Sequence, residues 1–266
     1  MSNAPVLITE IDERVGIITL NRPERRNALD GRLISELDAA VKQMAADPMV
    51  KVVVVTGAAP DGGVGGFCSG GDTKRDRSDN AGMELGVPPA ALDGDLARHD
   101  SHAAMLLHLM PKPTIAMVGG PAVGAGCSLA AACDLRFASA DAVFAANFTP
   151  NGLSGDYGGT VWWTRIAGTA VARRIYLLNE KISAQEALRL GMVHAVVPAA
   201  DLRSYTLDVA WRLVRMPAAL LALVKDNLNQ AEDEPERRRW LFAHEAHNQG
   251  EAARKLTESV QRRRAP

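Results

Sequence analysis

The chain has 266 residues, enough for one large domain or one domain with a modest appendage, and 47% hydrophobic with 23% charged residues suits a soluble globular protein. Thirty Lys and Arg against 31 Asp and Glu leave a net charge of −1, which removes the usual electrostatic basis for nucleic-acid binding. Three cysteines (Cys68, Cys127 and Cys133) are odd in number and lack metal-ligand spacing, which argues against a disulfide scaffold and for a reducing cytoplasm.

The first sixteen residues contain no basic region followed by an apolar run, so no signal peptide is expected. Residues 6–11 and 15–20 read as two short strands with a turn between them, and Asn21-Arg22-Pro23 ends the extended structure. Asp30 is placed to cap a helix carrying Leu33, Leu37, Val41 and Met44 on one face and ending before Pro48. Residues 51–56 (KVVVVT) are apolar on both faces, as a doubly covered central strand requires. A Gly-rich stretch, 57–72, follows, and the polar residues 73–100 read as a surface insertion. Next come a helix at 102–110, a strand at 114–118, a helix of small residues at 125–133, and strands at 135–138 and 143–146.

Ser183 and Glu186 have capping-box spacing and open a helix that Gly191 ends, with a strand at 193–197 after it. Beyond Asp201 the pattern is helical and increasingly charged, a tail expected to pack across the core or against a partner subunit. The class is therefore α/β with a helical C-terminal region, divided into a core at 1–200 and a capping or oligomerisation region at 201–266. Residues 114–133 are uncharged, but Gly119-Gly120-Pro121 and Gly124-Ala125-Gly126 interrupt any spanning helix, so no membrane partner is expected.

Several motifs fail on spacing. Gly57 and Gly62 match the glycines of a phosphate-binding loop, yet Gly63 and Val64 stand where Lys and Ser or Thr are needed. No dinucleotide fingerprint follows residues 51–56. His244-Glu245-Ala246-His247 places its histidines three apart rather than four, and no metal site is expected there. His99 and His102 are expected in solvent, and the basic run 237–239 on a solvated helix face.

Two Gly-rich turns remain, each after a buried strand: Phe67-Cys68-Ser69-Gly70-Gly71-Asp72, and residues 119–126. Unpaired backbone N–H groups in two facing turns cradle a developing oxyanion, whereas the plainer reading is that the glycines only permit tight turns.

NRPERRNALD (21–30), FCSGGDTK (67–74), PKPTIAMVGGPAVGAGCSLAAACDLRFAS (111–139) and SAQEALRLGMVHAVV (183–197) together resemble the enoyl-CoA hydratase/isomerase, or crotonase, superfamily. The resemblance implies a crotonase-like spiral of ββα units with C-terminal helices, assembled as a homotrimer or a dimer of trimers. It implies an acyl-CoA thioester substrate with no further cofactor, coenzyme A entering as part of that substrate. The oxyanion-hole amides map onto Gly71 and Ala125; Arg26 and Ala28, with the backbone of Ser69, Asp72 and Thr73, line the CoA side.

Hydratases of this family carry one Glu in the helix after the second turn and another about 20 residues on. Here those positions are Ser128 and Phe148, and neither serves as a general base near neutral pH. Residues 152–160 (GLSGDYGGT) resemble the Gly-Leu-x-x-Asp-x-Gly segment of the family's double-bond isomerases, which places Asp156 as acid/base; the alternative is a turn carboxylate beside glycines. The resemblance thus favours an isomerase, with other CoA-ester chemistry, or a binding-only protein that kept the cradle, as rivals.

Overall fold

The protein is described by a computed structural model over residues 4–61, 65–72, 102–232 and 235–264. Thr73, His99 and the insertion expected at 73–100 lie outside the described residues. The expected α/β class with a helical C-terminal region is what the chain forms. A six-stranded sheet has the order β1-β2-β3-β4-β6-β9, built from β1 (Leu7–Asp12), β2 (Val15–Leu20), β3 (Val52–Gly57), β4 (Thr114–Val118), β6 (Leu135–Ser139) and β9 (Ala195–Val197). Only β1 runs antiparallel to its neighbour; each later strand pairs in parallel. A second sheet joins β7 (Val143–Ala145) to two short strands the sequence pattern does not reveal, β5 (Ala122–Val123) and β8 (Ile182–Ser183).

Asp30 caps α1 (Gly31–Ala46) as its position predicts, its Oδ1 accepting the Leu33 N–H at 2.8 Å. The buried stripe Leu33, Leu37, Val41 and Met44 packs with Val53 and Val55 of β3. The alternate residues Val52 and Val54 face a second core with Leu202, Leu207 and Ala210 of α6 (Leu202–Val214), which explains the unbroken valine run. The strand expected at 193–197 starts later, because the Met192 N–H is still closing α5 (Ala184–Arg189) onto the Ala187 carbonyl at 2.8 Å.

The remaining helices are α2 (Ala103–Leu109), α3 (Ala125–Ala131), α4 (Gly159–Leu177), α7 (Ala218–Glu232) and α8 (Pro235–Arg264). Helix α4 lacks an amphipathic signature. Val161, Trp162 and Trp163 are consecutive and all buried, and Gly168 breaks the helical backbone at φ 83°. Arg238, expected in solvent, is 3% exposed and donates to the Asn229 carbonyl of α7. No helix among the described residues is long and apolar enough to cross a membrane.

The three cysteines are buried, and burial pushes each thiol up to about 12. A thiol that is neither ionised nor exposed does not alkylate. Iodoacetamide is therefore expected to leave all three intact in the native protein and to modify all three in denaturant, read by intact mass.

Candidate active site

The first Gly-rich turn is held from beneath by Asn27, which adopts a left-handed backbone (φ 55°) and is 1% exposed. Its Nδ2 donates to the carbonyls of Ala58 (3.0 Å) and Gly66 (2.7 Å), while its Oδ1 accepts the Arg22 N–H at 2.9 Å. Further on, Leu29 and Gly71 form a parallel bridge: the Leu29 N–H donates to Gly70 O at 2.8 Å, and the Asp72 N–H to Leu29 O at 2.9 Å. In a parallel bridge the residue between those two bonds turns its own amide to the opposite edge. The Gly71 N–H accordingly meets no acceptor among the described residues.

The second turn is sewn to the first. The Val123 N–H donates to Cys68 O at 2.8 Å, and the Cys68 N–H to Pro121 O at 3.2 Å. Gly124 (φ 57°, ψ −129°) precedes α3 and donates to Ala145 O, leaving Ala125 as the first helical residue, with no acceptor for its N–H among the described residues. A Cβ on Gly70 would lie 3.5 Å from the Ala125 nitrogen, and one on Gly124 would lie 3.5 Å from the Gly70 Cα. Glycine is needed at both sites, since each has positive φ and faces the other's backbone.

Of the residues expected on the CoA side, the described ones, Arg26, Ala28, Ser69 and Asp72, form one ledge beside Gly71. Arg26 is exposed, and its carbonyl accepts the Ser69 N–H at 3.1 Å. Ala28 is 6% exposed, its carbonyl taken by the Arg22 guanidinium. The Asp72 carboxylate turns inward, bridging Arg22 at 3.0 Å and Arg25 at 2.8 Å. Asp72→Ala is expected to cost about 2–3 kcal/mol in urea unfolding, less than a fully buried pair because Arg25 is partly exposed.

Ser128 is fully buried in α3. Its hydroxyl donates to Gly124 O at 3.4 Å, with the Tyr176 hydroxyl beside it. Gly159 presses on both hydroxyls, and a Cβ there would overlap Ser128 Oγ and Tyr176 Oη. Phe148 is 5% exposed and stacks on the Tyr176 ring, with centroids 6.0 Å apart and planes at 11°. Ser128 and Phe148 therefore both border one tyrosine, the first near its hydroxyl and the second on its ring face.

Asp156 sits in a run of left-handed residues, Gly152, Tyr157 and Gly158, just before α4. Its Oδ1 accepts the Tyr157 N–H at 2.8 Å. Burial pushes the carboxyl up to about 6, against the pull of that hydrogen bond. His102 is not solvated as expected: its ring sits edge-on to Tyr157 at 3.9 Å and faces Phe242 at 5.9 Å.

Two functional side chains escape the sequence reading. Gln249 Oε1 accepts the N–H groups of Ser154 (2.7 Å) and Gly155 (3.0 Å), and Glu245 Oε1 accepts the Thr160 N–H at 2.8 Å. Both lie on α8, one turn apart, at 6% and 1% exposure for Glu245 and Gln249 respectively. The usable signal was their spacing: with Phe242 and Ala246 they fall on one helical face, so two polar residues interrupt an apolar stripe. Among the described residues no group of three His, Cys, Asp or Glu side chains could hold a metal ion.

A family model for enoyl-CoA hydratase/isomerase matches residues 10–265 of the chain. Over 226 residues the chain is 31% identical to the short-chain-enoyl-CoA hydratase of Clostridium acetobutylicum, covering 84% of this chain and 81% of that protein. It is 33% identical over 226 residues to 1,2-epoxyphenylacetyl-CoA isomerase of Escherichia coli, covering 85% and 82%. A crystal structure of an enoyl-CoA hydratase from Mycobacterium avium subsp. paratuberculosis matches with a TM-score of 0.78 at 30% identity, over 95% of each chain.

Proposed function

The chain belongs to the enoyl-CoA hydratase/isomerase family, and within it we propose that this protein moves a double bond along an unsaturated acyl-CoA, with Asp156 as the acid/base. The observation that carries this reading is the carboxyl of Asp156, raised to about 6 by burial, in a site whose two expected hydratase glutamates are Ser128 and Phe148. A lone carboxylate suits isomerisation, because the group that takes a proton from one carbon returns it to another. Hydration has to activate water as well as deliver a proton, and neither Ser128 nor Phe148 supplies a base for that.

The thioester carbonyl lies between the Gly71 and Ala125 amides, which have no internal acceptor among the described residues and stabilise the enolate as it forms. Asp156 removes a proton; the electron pair passes through the enolate, the double bond shifts, and the carbonyl is restored as the proton returns. The ledge of Arg26, Ala28, Ser69 and Asp72 takes the CoA portion. The protein works as a homotrimer or a dimer of trimers: Leu177 and Leu178 at the end of α4, and Leu220, Leu223 and Leu228 on α7, are all more than half exposed and need cover.

A panel of 2-enoyl-, 3-enoyl- and saturated CoA esters followed by proton NMR in D₂O tests the reading. Vinyl signals that move while the thioester stays intact support it. Loss of vinyl signal to a hydroxyacyl product, or release of free CoA thiol, would replace it with hydration or hydrolysis. Binding without α-proton exchange would leave a carrier of acyl-CoA.

A further inference from the structure

Glu245 has no role in the chemistry described so far, yet its carboxylate reaches the site from α8. Oε1 takes the Thr160 N–H in the first turn of α4, and the side chain lies against Gly155, where a Cβ would come within 2.9 Å of Oε1. Oε2 is buried and has no hydrogen-bond partner among the described residues. The groups facing this carboxylate can be named element by element. From the 152–158 segment comes Asp156, and from α4, Tyr176; Arg165 of α4, Glu232 of α7 and Arg237 and His244 of α8 itself line, with Glu245, a cavity of about 620 Å³. Of these, Arg165 reaches Glu232 at 3.8 Å, and His244 stacks on Trp240.

We propose that Glu245 is the positioning residue of the Asp156 site: through Oε1 it clamps the start of α4, and on Oε2 it holds the proton that leaves Asp156 as the single anion of the pair. The clamp follows from the geometry. The proton follows from the bare Oε2, since an anionic oxygen buried without a donor costs more than a neutral O–H in the same place. Two neighbouring buried carboxyls do not ionise independently; they lose their protons in two steps that belong to the pair. Burial, with the Asp156 charge adding to it, pushes Glu245 up to about 7 against the hydrogen bonds from Thr160 and Gly158. The inference rests on Asp156 being the acid/base.

The test uses full-length protein carrying ¹³C at the Asp and Glu carboxyl carbons, as wild type, Glu245→Gln, Glu245→Ala and Asp156→Asn, titrated from about pH 4 to 9 alongside kcat/KM for the double-bond shift. In wild type the Asp156 signal is expected to show two inflections; in Glu245→Gln only the lower remains, both in the NMR curve and in the pH profile. In Asp156→Asn the Glu245 step moves to lower pH, because the neighbouring charge is gone. Glu245→Gln, which keeps an acceptor for Thr160, is expected to hold kcat within about tenfold of wild type, while Glu245→Ala loses about 10²-fold with KM little changed. A Glu245→Gln profile that is wild-type in shape and merely scaled, a Gln variant no better than Ala, or a Glu245 step unmoved in Asp156→Asn overturns the proposal. Turnover within tenfold of wild type in Asp156→Asn instead removes the acid/base reading, and the NMR titrations still decide whether the pair is coupled.

Discussion

Asp156→Asn is expected to lower kcat for the double-bond shift by about 10²–10⁴-fold while leaving the dissociation constant for a saturated acyl-CoA within a few-fold of wild type. The amide is nearly the size of the carboxyl, so the Tyr157 N–H keeps an acceptor and the surrounding left-handed backbone is undisturbed. What it loses is the capacity to take a proton. The wild-type profile carries the same signature. Only the ionised carboxylate is a base, and the group is raised to about 6, so the main rise of kcat/KM should come as pH passes through about 6, with the second step of the Asp156–Glu245 pair above it; an ordinary aspartate would place the main limb near 4. Steady-state rates across pH, together with calorimetry on a non-reacting CoA ester, check both statements. A rate that falls in step with binding would show that Asp156 shapes the pocket instead.

Gly126→Ala is the second large effect. Gly126 lies in the first turn of α3, directly against the neighbouring Gly-rich turn, and a methyl there overlaps the Cys68 carbonyl and Cβ. Backbone cannot swing away as a flexible side chain can, so α3 must lift from residues 65–72. The cost in stability should be at least about 2–3 kcal/mol, as for other overpacked sites. The cost in rate is more telling. Lifting α3 separates the Ala125 amide from the Gly71 amide, and one oxyanion donor is worth about 10²–10³ in kcat. Solvent exchange of the substrate α-proton, measured on the folded fraction, should drop by that factor. Wild-type exchange in a folded Gly126→Ala protein would mean that the two amides do not act on one carbonyl.

Much of the scaffold was legible because its signals are local. Asp30 announces α1, the valine run of β3 announces a strand covered twice, and Ser183 with Glu186 announces α5; the Ser183 Oγ accepts the Glu186 N–H at 3.3 Å. Helix α4 was not legible, because its opening is buried all round and Gly168 interrupts its period. The strands β5 and β8 are two residues each, too short for alternation to register. Both Gly-rich turns and Asp156 could be picked out from their motifs. Glu245 and Gln249 could not, since the groups they hold lie some 85 to 95 positions earlier in the chain. His102 was misjudged for the same reason: its partners, Tyr157 and Phe242, are brought to it only by folding.

That the loop around Asp156 is finished by Gln249 bears on how the molecule is made. The ribosome releases the sheet, both Gly-rich turns and Asp156 long before α8, so a nascent chain can assemble nearly all of its architecture while Ser154 and Gly155 still lack the side-chain oxygen they will bind. Competence for turnover therefore waits until α8 has been made, and a premature stop a few codons short of Gln249 should yield a folded but idle product.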